Sequence, residues 1–217
     1  KQRKDICKNY LIRIEGAGDC DYFLDQHDIL KLLNAATGGK IKGQPKQDFN
    51  LQRMENLLED NQWVKDAQLY FDNKDVLHVN VIEHEPMARL FTVSGRSYYL
   101  NSNGQLMGLS EKLNAKLPVF TGFPDKKLQT KKDSLLRQHI IRTSEFISGN
   151  PFWSSQVAQI YIIEGNTVQF DMVPVVGNHI VKLGDGQNIE SKFNRLLLFY
   201  KEVLSKNEII ENEFILG

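Results

Sequence analysis

Residues 63–88, WVKDAQLYFDNKDVLHVNVIEHEPMA, decide how this chain folds. Apolar side chains recur there at every second position: Ala67, Leu69 and Phe71 before the polar step Asp72-Asn73-Lys74-Asp75, then Leu77, Val79 and Val81 after it. A strand turns successive side chains to opposite faces, so two such runs around a short Asx-rich turn make an antiparallel hairpin with one apolar face. Pro86 removes a backbone donor and breaks the run.

Upstream, Asn9 to Glu15 is rich in aromatic and β-branched residues and is closed by Gly16 to Gly18, which reads as a strand. Asp25, three residues before Asp28, reads as an N-cap. Ile29, Leu30, Leu33 and Ala36 follow at helical spacing until Gly38 and Gly39. A second helix begins near Asn50 with Leu51, Met54, Leu57 and Leu58 on one stripe. Residues 7–85 therefore read β-α-α-β-β, a small α+β layer that covers its apolar sheet face with two helices. Its expected core includes Trp63, Leu69, Phe71, Leu77 and Val79.

Downstream, residues 86–217 read as a second, strand-rich β domain with two helices. Met87 to Val93, Ser97 to Asn101 and Gln105 to Leu109 form a meander around Ser94-Gly95 and Asn103-Gly104. The Pro/Gly-bounded stretch KLPVFTGFPD, 116–125, reads as a connector into a helix with Leu136, Ile140, Thr143 and Ile147 on one face. Gly149-Asn150-Pro151 reads as that helix's end. Strands at Val157 to Ile163, Thr167 to Val173 and His179 to Leu183 precede a last helix, which carries Ile189, Phe193, Leu196, Tyr200 and Val203 on one stripe. Glu213 to Leu216 can pair as a terminal strand.

The composition argues against several functions. Lys plus Arg and Asp plus Glu both number 27, giving zero formal charge, and no basic tract carries interleaved aromatics, so the cationic footprint of a nucleic-acid binder is missing. No apolar run approaches the roughly 18 residues of a membrane span. The chain opens on Lys-Gln-Arg-Lys without Met, so an upstream anchor or leader is left open. Cys7 and Cys20 are too few for a disulfide scaffold, and both a single bridge and two independent thiols fit them.

No motif points to catalysis, a cofactor or a metal. His84 stands between Glu83 and Glu85, but neighbours on a strand face opposite ways, and a solvated strand end accounts for it. Asp72 to Asp75 lacks the Gly and terminal Glu of a calcium loop. Leu183-Gly184-Asp185-Gly186 lacks the further residues of a phosphate loop and reads as a helix-entry turn. His27, His78, His139 and His179 are scattered, no nucleophile elbow is present, and Trp63, Trp153, Tyr98, Tyr99 and Tyr200 sit where aromatics usually fill cores.

Several separate stretches resemble the bacterial cell-division family FtsQ, also called DivIB. Asn61 to Ala67 looks like the family's N-P-x-V-x-x-A entry to the second strand of its POTRA module. Val79 to Ala88 looks like its V-x-V-x-E-R-x-P-x-A junction, with His84 where Arg is usual. Gly95 to Gly104 resembles the G-x-x-Y-x-[DN]-x-x-G hairpin, Leu117 to Gly122 the L-P-x-[IVL]-x-G step, and Lys182-Leu183-Gly184 the v-x-L-G lead into the last helix. The order is the family's over residues 7–204, and the details look most like Bacteroidetes versions. Residues 205–217 show no match to the family's last-strand pattern.

The resemblance implies a non-enzymatic divisome scaffold: the periplasmic portion of a single-pass inner-membrane protein that binds FtsB and FtsL through its second domain and other septal proteins through POTRA. It implies no cofactor, nucleic acid or small-molecule substrate. The basic lead would then be juxtamembrane, in mild conflict with the usual cytoplasmic placement of positive charge. A POTRA protein serving outer-membrane assembly or secretion is the alternative; such proteins usually carry POTRA modules in tandem or before a barrel. The expected partner surface joins Gln159, Tyr161 and Ile163 on one strand, Tyr200 on the last helix, and the terminal edge Glu213, Phe214, Ile215 and Leu216, because a chain-end strand has no later strand to cover it.

Overall fold

A computed structural model describes residues 5–16, 23–113, 116–125, 131–165, 167–205 and 214–216. The chain divides into two compact units, one of Lys1–Glu85 with Ser110–Ala115, the other of Pro86–Leu109 with Lys116–Gly217.

The first unit runs β1 (Asn9–Glu15), α1 (Gln26–Thr37), α2 (Leu51–Glu59), β2 (Val64–Phe71) and β3 (Val76–Glu83). Its sheet has the order β1-β3-β2, with β1 parallel and β2 antiparallel to β3. Local chemistry fixes the ends of these elements. Asp25 and Asp28 form a reciprocal capping box at the start of α1, each carboxylate accepting from the other's amide at 2.9 and 3.0 Å. Gly38, at φ 70, closes the helix in the left-handed conformation that glycine adopts without a Cβ clash. At the hairpin Asp72 Oδ1 accepts from the amides of Lys74 and Val76, while Asp75, at φ 63, is clamped by Lys8 and Lys46, each at 2.8 Å. Ile12, Ile29, Leu33, Met54, Leu58, Leu69, Leu77, Val79 and Val81 fill the core. Trp63 closes one end by stacking on Phe23 with ring centroids 4.0 Å apart. Phe71 is only half-buried, edge-on to Phe49. The Ser110–Ala115 excursion adds Lys112, which bonds Asp25 and Asp28.

The second unit is one eight-stranded sheet of order β11-β10-β9-β8-β7-β4-β5-β6. Its strands are β4 (Pro86–Thr92), β5 (Ser97–Asn101), β6 (Leu106–Met107), β7 (Val119–Phe123), β8 (Val157–Ile163), β9 (Gln169–Pro174), β10 (Val181–Gly184) and β11 (Phe214–Ile215). Helices α3 (Lys131–Ser148), α4 (Pro151–Gln156) and α5 (Ile189–Ser205) complete it. Ala88, Leu90, Leu100, Phe120, Ile160, Ile162, Phe170, Met172, Val181 and Leu183 pack against Leu136, Ile140 and Ile147 of α3, Trp153 of α4, and Phe193 and Leu196 of α5 in a single core.

Two sequence expectations are corrected and one is extended. The supposed connector at 116–125 contains β7, which pairs in parallel with both β4 and β8 near the middle of the sheet. Gly122 there has φ +79, and a Cβ would lie 2.7 Å from the carbonyl oxygen of Ile162, so this glycine permits close strand approach rather than marking a turn. Asn150-Pro151 ends one helix and also starts another: Asn150 Oδ1 caps α4 by accepting from the amides of Phe152 and Trp153, with Pro151 at its first position. Finally, His84 is not a solvated strand end. It is 7% exposed, and its amide donates to the carbonyl of Trp63 at 2.8 Å.

Candidate functional site

With the helices on one face of the eight-stranded sheet, strand alternation sends a second set of side chains to the other face. Following the register across the strands places Ile215, Lys182, Asp171, Tyr161, Thr121, Phe91 and Ser97 side by side in one row. No helix of the described residues packs on that row. Tyr161 is 37% exposed and Ile163, two residues on and on the same face, 46%. Gln159 Nε2 donates to Tyr161 Oη at 2.8 Å, tying the phenol to a neighbour on its own strand. Further along, the Arg89 guanidinium lies 5.1 Å from the ring centre of Phe91 and 5.8 Å from that of Tyr99, a cation held between two aromatic faces.

The terminal segment supplies one edge of this sheet. β11 pairs in parallel with β10, the Leu216 amide donates to the Lys182 carbonyl at 2.8 Å, and Arg195 Nη2 donates to the Leu216 carbonyl at 3.0 Å. Leu216 is buried in the core while Ile215, facing the other way, is 70% exposed. Glu213 and the side chain of Phe214 lie outside the described residues, as do Cys20 and the basic lead.

The expected meeting of β8, the last helix and the terminal strand does not form. β9 and β10 separate β8 from β11, and α5 packs on the opposite face of the sheet. Tyr200 is therefore no surface residue. It is buried against Trp153, its Oη is 2.7 Å from His179 Nε2, and burial pushes its hydroxyl up to about 12 while holding the His179 imidazole below its ordinary value. What the structure does bring together is one row of the open face, with Tyr161 in the middle and Ile215 at its end. Arg89, Phe91 and Thr121 belong to the same face and were missed. Their adjacency depends on the parallel β7 pairing, which sequence spacing does not encode; the alternation of Val119 and Thr121 against the buried Phe120 was the available signal.

The other polar clusters have structural roles. Glu83, only 1% exposed, accepts from the amides of Phe23 and Leu24 at 3.1 and 2.7 Å and so ties the entry of α1 to the end of β3; burial raises its carboxyl above the ordinary value. Asp125 gathers Ser94 and Arg96 around the β4–β5 turn, and these bonds hold its carboxyl well below the usual range. Asp185 Oδ1 accepts from the Gln187 amide at the entry to α5. Cys7 is a buried free thiol whose Sγ donates to the Asn9 carbonyl at 3.2 Å. Among the described residues no three His, Cys, Asp or Glu side chains converge as metal ligands, and no helix is long and apolar enough to cross a membrane.

This two-unit arrangement has known counterparts. Residues 5–82 match the model of a POTRA-like domain, and residues 85–215 match that of the FtsQ/DivIB, C-terminal related domain. No curated protein matches the chain. The second match spans more than half of the sequence and coincides with the sheet carrying the open face, so the chain belongs to the FtsQ/DivIB, C-terminal related family of cell-division scaffold proteins.

Proposed function

We propose that the chain is the extracytoplasmic part of a single-pass inner-membrane scaffold of the bacterial divisome, and that its second unit binds the periplasmic segments of FtsB and FtsL. The observation that carries the reading is the asymmetry of the eight-stranded sheet. One face is sealed by three helices, while the other presents Tyr161, Ile163 and Ile215 to solvent. A folded surface of this kind, with aromatic anchors and a short free edge, suits an extended or helical partner segment. Among the described residues the clustered titratable groups cap turns, close helix entries or, like His179 and Tyr200, bond each other in the core, which favours a scaffold over an enzyme.

Ile215 and Tyr161 are the residues we assign to the contact, with Gln159 holding the Tyr161 ring and Ile163 adding apolar surface beside it on the same strand. β11, only two residues long, leaves the rest of β10 unpaired on that side among the described residues and so open to main-chain bonding. A POTRA-like unit followed directly by an FtsQ/DivIB C-terminal related unit favours the divisome over outer-membrane assembly. The test is calorimetric titration of the organism's FtsB periplasmic segment into the parent, Tyr161→Ala and Ile215→Asp proteins, with melting curves run alongside. The proposal expects at least about tenfold weaker binding for each folded variant, the range of a central interface contact. Undiminished binding in both overturns the surface; no binding to the parent overturns the partner.

A further inference from the structure

The first unit's sheet has two edges, and the structure treats them differently. On β2 the amides of Leu69 and Ala67 point away from β3 and are taken by carboxylates of α2, Glu55 Oε1 at 2.7 Å and Glu59 Oε1 at 3.2 Å. Two donors that would recruit a neighbouring strand are thereby occupied from within. That edge is closed.

The β1 edge is not closed in this way. Ile12 turns its carbonyl outward, where Gln26 Nε2 donates to it at 3.2 Å. Because main-chain direction alternates along a strand, Tyr10, Ile14 and Gly16 face outward as well. Among the described residues no partner takes the outward amides of Tyr10, Ile12 and Ile14. The side chains add a pattern. Arg13 and Glu15 stand exposed on the sheet's open face, in no ion pair among the described residues, and Ile14 between them is half-buried on the helix side.

We infer that β1 is a self-association edge, on which a second copy of this chain pairs antiparallel about a twofold axis at Ile14. In that register Ile14 lies opposite its own copy, Ile12 opposite Gly16, and all these residues turn their main-chain groups toward the partner. Arg13 then falls opposite Glu15 twice, at the positions where antiparallel side chains come closest. The occupant is a second copy because the edge is complementary to itself: the same pair of opposite charges, read in reverse, supplies both ion pairs. One open edge and one closed edge per sheet stop the pairing at two copies, giving a closed dimer with a six-stranded sheet and no fibre. Only a short stretch of each strand takes part, which makes a small interface and a weak dimer. The inference is independent of the partner surface on the second unit.

Sedimentation equilibrium of the full chain over a concentration series up to about 1 mM tests it, with Arg13→Glu and Glu15→Arg as exposed, fold-neutral variants checked by circular dichroism. The parent should show a monomer–dimer equilibrium. Each variant alone, facing like charges, should dissociate at least about fivefold more readily, as two reversed cross-strand pairs require. An equimolar mixture of the two variants should dimerise again. One chain then carries acidic side chains at both positions and its partner basic ones at both, so each cross-strand pair between positions 13 and 15 again joins opposite charges. A parent that stays monomeric throughout overturns the inference. So does a dimer that neither variant weakens, or a mixture that regains nothing.

Discussion

Val79, with no exposed surface at the centre of the first unit's sheet, shows how one residue carries a fold. Val79→Asp places an unpaired carboxylate between the buried cross-strand partners Ile12 and Leu69 and is expected to cost about 3–5 kcal/mol, read as a lower denaturant midpoint. Gly122 is constrained differently, by its φ of +79 and the nearby Ile162 carbonyl. Gly122→Ala should destabilise the second unit by roughly 1–3 kcal/mol in the same assay, since alanine neither tolerates that φ nor fits the space. The buried histidines set the acid response. His84, His139 and His179 are each held below the ordinary imidazole value, mainly by burial. Their unfolded forms take up protons as pH falls through about 6.5 while the fold resists, so the stability they contribute is present above that pH and lost below it. Glu83, raised by burial, works in the opposite direction once the pH nears the carboxyl range. Denaturant midpoints at about pH 5 should therefore lie below those at about pH 7.5, and equal midpoints would contradict the burial of these rings.

Among the elements, α2 both covers the sheet and seals its β2 edge. Removing either carboxylate, Glu55→Ala or Glu59→Ala, should cost about 1 kcal/mol and speed hydrogen exchange at Leu69 or Ala67 respectively. Most of the first unit was legible because its signals are local. Period-two alternation gave β2 and β3, Asp25 and Asn50 gave helix starts, and Gly38 gave a stop. The second unit was legible where the same held, in α3, α5 and β8, and illegible where tertiary pairing decided. β7 is five residues bracketed by Pro118 and Pro124 with a glycine inside, a composition that locally spells a loop; pairing on both sides makes it a strand. The candidate surface was half legible for the same reason. Tyr161 and Ile163 followed from alternation in β8, but the order β11-β10-β9-β8-β7 that separates them from Ile215 and sets them beside Thr121 and Phe91 is a long-range fact. Tyr200 was misplaced because a helical stripe tells which residues share a face and not whether its polar tip finds a buried partner such as His179.

For the molecule as a whole, a POTRA-like unit and an FtsQ/DivIB C-terminal related unit in succession place the chain in a cell-division scaffold family. Exhaustive dialysis against a chelator should leave the melting temperature unchanged, and a stoichiometric ion held at His84 or the Asp72 to Asp75 turn would contradict the structural roles assigned there. The central claim, service in the divisome, is tested most directly in the cell. A fluorescent fusion of the full-length protein should gather at the division site, and its depletion should yield filaments that grow without septating. A uniform envelope distribution together with normal division on depletion would contradict the account.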